Sequence, residues 1–166
     1  MKIISLIAIG LACILTGKYV AFRLDKRVHT LENMILMFST IENEISYLSR
    51  PTVELIELLT QKDDLRELDF LAECALLVRN GTDINEAWTT SLSHSKKFIG
   101  EDACILYSFG ENLGRSNIDG QLSNCRYHIN SAQERLNEAR EKKSRYASLA
   151  CGLGVLSGIG IFIILF

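Results

Sequence analysis

The sequence predicts an all-α protein, a cytosolic helical bundle of about six helices whose first and last helices continue into transmembrane spans. Three observations predict this class. The chain of 166 residues has a single proline, Pro51, so little interrupts helix formation. Its apolar residues recur at the three- and four-residue spacing of a helix face, without a strand pattern of useful length. Both ends are apolar over roughly 20 residues, enough to span a bilayer as a helix.

The charge distribution divides the chain into three segments. Every Asp and Glu lies between Asp25 and Glu141, whereas the apolar ends at residues 3–22 and 147–166 carry one charge, Lys18. We therefore expect an N-terminal transmembrane helix, a cytosolic helical domain and a C-terminal transmembrane helix at residues 1–22, 23–146 and 147–166.

Basic residues next to the spans predict the orientation. Arg23, Lys26 and Arg27 follow the first span, and five more basic residues precede the second: Arg135, Arg140, Lys142, Lys143 and Arg145. Because positively charged flanks stay in the cytosol, both tips should point away from it. A cleaved secretory signal, or a lipoprotein site at Cys13, is the alternative reading of the N-terminus. The missing A-x-A site and the basic flank favour an uncleaved anchor.

The first three helices are predicted from apolar periodicity and breakers. The first shows no breaker between its span and Ser49, and its apolar face is Leu31, Met34, Ile35, Phe38, Ile41, Ile45 and Leu48. Pro51 should lie in the first turn of a short second helix. Asp63-Asp64 should open the third and Asn80-Gly81 should end it as a left-handed cap. The apolar face of the third is predicted to be Leu65, Leu68, Leu71, Ala72 and Leu76.

Capping residues and glycines predict the ends of the fourth, fifth and sixth helices. Asp83 to Glu86 has the spacing of a capping box and should begin the fourth helix, which carries Trp88. Gly100 precedes the fifth, which should end at Gly114. Ser116 or Asn117 should cap the sixth. Its apolar face is predicted to be Ile118, Leu122, Cys125, Ile129, Ala132, Leu136 and Ala139.

Composition and motifs provide no support for an enzyme. The net charge of −2 gives no basic field for nucleic acid. The five cysteines are scattered, and two of them lie in the predicted spans, which argues against a disulfide framework. Gly110 to Ser116 resembles a phosphate loop, but only three residues separate its glycines and Arg115 replaces the lysine. The three histidines are isolated, so we predict no catalytic residue, cofactor or metal ligand.

The second span carries small residues at a regular spacing. Ala150, Gly154 and Gly158 recur every four residues. This spacing lets two helix backbones approach closely in lipid and would favour helix packing or a homo-oligomer. Glycine is also common in membrane helices generally, which is the alternative explanation.

Several motifs in order resemble the stage III sporulation protein AB family. They are Leu31-Glu32 through Glu44-Ile45-x-Tyr47 with Pro51 beyond, Glu86-Ala87-Trp88, Phe109-Gly110-x-x-Leu113-Gly114-x-Ser116-Asn117-x-x-x-Gln121, and Gly152-Leu-Gly-Val-Leu-Ser-Gly. The resemblance covers essentially the whole chain. The family usually has Asp where this chain has Asn117, which can also cap a helix.

The resemblance implies a cytosolic domain similar to the F-protein domain of type II secretion. It also implies a place in the channel complex between mother cell and forespore, at the outer forespore membrane with the domain on the mother cell side. The implied partners are a separate cytosolic secretion-type ATPase and other membrane and ring-forming subunits. A non-enzymatic platform component of this kind is the leading hypothesis, and a passive scaffold or receptor that recruits the ATPase without transmitting motion is the alternative.

The segment from Phe109 to Gln121 is the candidate partner contact. It is expected to expose Glu111, Asn112, Arg115 and Asn117 around two glycines, Gly110 and Gly114. The competing interpretation is a turn adapted only for packing. The remaining motif positions, Phe109, Leu113, Ser116 and Gln121, belong to the same candidate.

Overall fold

The computed structural model describes the backbone of residues 2–48, 52–98 and 100–165, and the side chains of residues 16–47, 53–98, 100–147 and 149. Within these ranges the chain forms six α-helices, one short 3₁₀ helix and no strand, which confirms the all-α class. The α-helices are α1 (Lys2–Leu48), α2 (Thr52–Gln61), α3 (Phe70–Arg79), α4 (Ile84–His94), α5 (Glu101–Asn112) and α6 (Ile118–Leu165).

The predicted helix continuity at both ends is confirmed. Helix α1 has 47 residues and α6 has 48, and each is a single helix. Within the part of the chain that was described, no helix is long and apolar enough to cross a membrane. Most side chains of the predicted spans lie outside the described residues, and so does the packing of Ala150, Gly154 and Gly158. The predicted helix start at Ser49, Arg50 and Pro51 also lies outside them.

The chain divides into two compact units. One is Thr30–Leu136, and the other combines Met1–His29 with Asn137–Phe166. In the second unit Lys143 forms an ion pair with Asp25, and its ammonium holds the pKa of that carboxyl below its ordinary value. The hydroxyl of Tyr146 also donates to the Gly17 carbonyl at 3.3 Å. The predicted domain boundaries at residues 22 and 146 remain predictions.

The core of the Thr30–Leu136 unit follows the predicted α1 face closely. Leu31, Met34, Phe38 and Ile41 are completely buried, and the unpredicted Met37 joins them. Helix α2 packs on α3, α3 on α4, and α4 on α5. The Phe38 ring lies 4.6 Å from that of Phe109 between centroids, so α1 and α5 share this core.

The predicted start of the third helix is wrong, and two of the five residues of its predicted apolar face, Ala72 and Leu76, are exposed. Asp63–Leu65 forms only a 3₁₀ turn, and α3 begins at Phe70. This later start changes the helical phase, and Phe70, Leu71, Cys74 and Val78 are the buried residues of α3. The predicted Leu76 is 58% exposed, and Ala72 is also exposed. Leu65 and Leu68 are buried as predicted, but from the connection before α3.

The predicted caps on either side of residue 82 are confirmed. Gly81 has φ of 91°, the left-handed conformation that favours glycine. The N–H of Thr82 bonds to the Leu77 carbonyl and that of Gly81 to the Val78 carbonyl, which is the Schellman pattern. Asp83 caps α4 by accepting from the Asn85 N–H at 3.0 Å.

The predicted end of α5 and one position on α6 are corrected. Helix α5 ends at Asn112 rather than Gly114, because Leu113 is already extended with ψ of 123°. On α6, Cys125, Ala132, Leu136 and Ala139 are buried as predicted. Ile118 is 51% exposed, since it is the first residue of the helix and precedes the part that packs on the core.

Candidate functional site

The candidate site is the α5–α6 turn, defined here as residues 109–121. The structure divides its predicted residues into two groups. The buried members, Phe109, Gly110, Leu113 and Gln121, face the core, and the exposed members are Glu111, Gly114, Arg115, Ser116 and Asn117. Asn112 is exposed as well. The turn therefore combines a packed inner side with a polar outer side.

Phe109 and Gly110 secure the inner side against Trp88 of α4. The Trp88 indole is completely buried, and its Nε1–H donates to the Leu106 carbonyl at 2.9 Å. Its ring lies 5.5 Å from that of Phe109. A Cβ on Gly110 would lie 2.6 Å from Trp88 Nε1 and 2.7 Å from its Cγ, closer than real contacts. Gly110 is therefore needed for the close approach of α5 to the indole.

The side chain of Asn85, on α4, forms hydrogen bonds at the C-terminal end of α5. Its side-chain Nδ2 donates to the carbonyls of Gly110 at 2.6 Å and Leu113 at 2.9 Å. Its Oδ1 accepts from the Nε–H of Arg115 at 3.0 Å. Asn85 is 9% exposed, so one nearly buried amide holds two backbone carbonyls and one surface side chain. These partners also fix the amide orientation, because carbonyls accept only and guanidinium donates only.

The start of α6 secures the other side of the turn. Gln121 Nε2 donates to the Asn112 carbonyl at 3.1 Å and to Ser116 Oγ at 3.0 Å. Asn117 Oδ1 accepts from the Gly120 N–H at 3.0 Å, so Asn117 is the N-cap of α6. Gly114 has φ of 77°, which a residue with a Cβ rarely adopts. The backbone path of the turn is thus determined by its own residues and by Asn85.

Burial favours the neutral form of three titratable side chains in the Thr30–Leu136 unit. Burial raises the pKa of the Cys74 thiol to about 11 and that of Cys125 to about 12, so neither is a ready thiolate nucleophile. His128 is 3% exposed, and burial lowers its pKa although its Nδ1 bonds to the Asn124 carbonyl at 2.9 Å. Its Nε2 is buried and, among the described residues, has no hydrogen-bond partner.

The outer side of the α5–α6 turn carries charged and polar groups, and no candidate metal site accompanies them among the described residues. The described residues contain no group of three or more His, Cys, Asp or Glu that could hold a metal ion. The turn instead presents a carboxylate on Glu111, a guanidinium on Arg115 and an amide on Asn112. The exposed Ile118 at the start of α6 adds an apolar group beside them. Both proposed interpretations, packing and partner contact, remain compatible with this arrangement of residues.

Asn85 is the important residue that sequence reasoning missed. It was assigned only to the capping segment of α4. One signal could have identified it, because Asn85 lies three residues before Trp88 and seven before Leu92, on the helix face that carries both. A polar residue on a core-facing helix position indicates a specific buried hydrogen bond. The identity of its partners on α5 is a long-range fact that the spacing does not contain.

The chain matches a known protein family. The family model described as Stage III sporulation protein AB (spore_III_AB) matches residues 2–166 of this chain. No curated protein and no solved structure gives a match.

Proposed function

This chain belongs to the stage III sporulation protein AB family, and we propose that its role in sporulation is that of a non-enzymatic membrane platform component. In this proposal it belongs to the secretion-like channel complex between mother cell and forespore. It engages a separate cytosolic secretion-type ATPase together with other membrane and ring-forming subunits. The family match over residues 2–166 is the observation that carries the proposal.

The α5–α6 turn is the proposed contact for the ATPase. Five polar or glycine positions of the turn belong to the motif that resembles the family: Gly110, Gly114, Ser116, Asn117 and Gln121. The outer side of the turn presents Glu111, Arg115 and Asn117 to solvent. A partner surface benefits from a fixed conformation, because less conformational freedom is lost on binding. The hydrogen bonds from Asn85 and Gln121 provide such a conformation.

The membrane location is proposed from the sequence. The apolar residues 3–22 and 147–166 and their basic flanks support two spans, with the central domain on the cytosolic side. The location that we propose, following the family resemblance, is the outer forespore membrane, with the domain facing the mother cell. Small residues at Ala150, Gly154 and Gly158 support helix packing in that membrane, either with other subunits or with a second copy.

The experiment is complementation by a charge-reversed turn. A strain lacking this gene would receive the wild type, Glu111→Arg, or the matched control Glu134→Arg, which changes an exposed glutamate in the middle of α6. We expect Glu111→Arg to lower both ATPase capture and the heat-resistant spore count by about tenfold, because a like charge now faces the partner or a favourable one is lost. Glu134→Arg should match the wild type.

Immunoblots at equal cell density would verify that all three proteins accumulate equally in the membrane fraction. If Glu111→Arg captured the ATPase and sporulated like the wild type, the turn would retain only a packing role.

A further inference from the structure

The guanidinium of Arg115 is held in an unusual way for a surface side chain. Its Nε–H donates to Asn85 Oδ1 at 3.0 Å, and Asn85 is itself nearly buried. Most surface arginines are free to sample many rotamers, and ordering them on binding lowers affinity. The bond to Asn85 removes much of this freedom in the unbound protein.

The atoms of Arg115 that remain available form a fork. Only the Nε–H is used by Asn85, and within the described residues the two terminal amino groups, Nη1 and Nη2, have no hydrogen-bond partner. Arg115 is exposed, so these groups can reach another molecule. The end-on pair of parallel N–H groups on a guanidinium matches the two oxygens of a carboxylate.

We infer that Asn85 is a positioning residue that presents the Arg115 fork to a carboxylate of an Asp or Glu on the partner protein. The inference rests on the proposed function, since it specifies the partner chemistry of the same turn. Asn85 also connects the Arg115 guanidinium to the backbone of the turn, because its Nδ2 donates hydrogen bonds to the carbonyls of Gly110 and Leu113. The direction of the guanidinium therefore depends on the same amide that fixes the end of α5.

The chain offers a matched control for Asn85. Asn124 on α6 is also partly buried, and its Nδ2 also donates to an α5 carbonyl, that of Phe109 at 3.4 Å. It makes no hydrogen bond to Arg115. Asn124→Ala thus removes one hydrogen bond between an asparagine and α5 and leaves the guanidinium of Arg115 in place. Asn85→Ala removes the hydrogen bonds to the carbonyls of Gly110 and Leu113 and also releases the guanidinium.

The test measures binding of the co-expressed secretion-type ATPase to the intact protein in detergent, by titration at low and high salt. The variants are Arg115→Lys, which keeps the charge but loses the fork, Asn85→Ala, Asn124→Ala and Glu111→Arg. Thermal unfolding of each variant monitors folding. We expect about tenfold weaker binding for Arg115→Lys and for Asn85→Ala, and less than about twofold for Asn124→Ala.

Two results would overturn this inference and leave the proposed function standing. One is wild-type binding by Arg115→Lys while Glu111→Arg binds weakly, because the fork would then be dispensable. The other is equal loss of binding by Asn85→Ala and Asn124→Ala, because the effect would then follow from packing. Wild-type binding by every variant, Glu111→Arg included, would instead exclude the turn as the contact for the ATPase. Absence of ATPase binding by the wild type would overturn the proposed function.

Discussion

The α5–α6 turn and the α2–α3 pair are stabilised by different kinds of interaction. The turn depends on nearly buried polar side chains, above all Asn85 and Gln121, that bond to backbone carbonyls. The α2–α3 pair buries apolar residues such as Leu55 and Cys74, and its polar contacts lie at the surface. An example is Arg79 with Glu57 at 3.0 Å, where the two side chains are 70% and 40% exposed.

The difference has a physical consequence. The hydrophobic effect is non-directional, whereas a buried hydrogen bond requires a defined geometry and is costly when broken. The α2–α3 pair therefore contributes stability with little constraint on surface shape. The turn has a defined backbone path and defined side-chain directions, as a contact surface requires.

The substitution Gly110→Ala should have the largest effect on the turn. The added Cβ would overlap the Trp88 ring, which is completely buried and cannot move without displacing Phe70 and Phe109. We expect a loss of about 3 kcal/mol in the free energy of unfolding, measured by denaturant titration. Gly120→Ala is the comparison variant. Its Cβ would lie 2.7 Å from Ser116 Oγ and 2.8 Å from Ser116 Cβ, which also requires a shift, but Ser116 is exposed, so we expect a smaller loss. Equal stability of Gly110→Ala and the wild type would show that α5 is not closely packed on Trp88.

Asn85→Ala should have the next largest effect. The carbonyls of Gly110 and Leu113 would lose a donor where water has little access, and we expect a loss of about 2 kcal/mol. Hydrogen exchange should localise the change, with faster exchange at Leu113 and Arg115 than in α3. Unchanged protection of these amides would contradict the structural role of Asn85.

The pH dependence of stability should report on His128. Burial lowers its pKa in the folded state, so the unfolded chain binds a proton more readily. Stability should therefore be complete above the ordinary histidine pKa of about 6.5 and decrease as the pH falls below it. The slope for one such group cannot exceed about 1.4 kcal/mol per pH unit.

Unfolding midpoints measured between pH 7 and pH 5 would check this expectation. His128→Phe should flatten the dependence in that range, and the surface control His94→Asn should retain it. A wild-type slope in His128→Phe would assign the dependence to other groups.

Arg79→Ala should have the smallest effect, although its ion pair with Glu57 is well formed. Exposed ion pairs contribute little because water and salt screen them, so we expect a change below about 1 kcal/mol. The same denaturant titration would measure it, with Glu57→Gln as the reciprocal variant. A loss as large as that of Asn85→Ala would remove the contrast between the two regions.

Local features of the fold were predictable from sequence. The caps at Gly81 and Asp83 were identified, and Asn117 was one of the two residues predicted to cap α6, because each cap depends on a few neighbouring residues. The start of α3 was not, because Leu65 and Leu68 are buried from a non-helical connection and only the tertiary fold places them there. The core-facing side of α3 was counted from a helix start at Asp63-Asp64, whereas α3 begins at Phe70. Leu76 was therefore wrongly assigned to the core.

The sequence predicted which residues form the candidate turn, but not which side chains stabilise its conformation. The glycines and polar residues of the segment identified a turn with Glu111 and Arg115 outside, as the structure has it. The contribution of Asn85 depends on contacts 25 to 30 residues away in sequence, which no local pattern specifies. Gly110 was predicted to lie in the turn, but it lies within α5 against Trp88.

The central claim is that the outer side of the α5–α6 turn contacts the secretion-type ATPase. Site-specific photo-crosslinking in sporulating cells tests it most directly, with the crosslinking amino acid at position 111 in the turn or at position 134 on α6. Both positions are exposed, so a crosslinking side chain at either one is accessible to a partner protein. We predict a crosslink to the ATPase from position 111 and none from position 134. Crosslinks to the ATPase from position 134 with none from position 111 would contradict the claim.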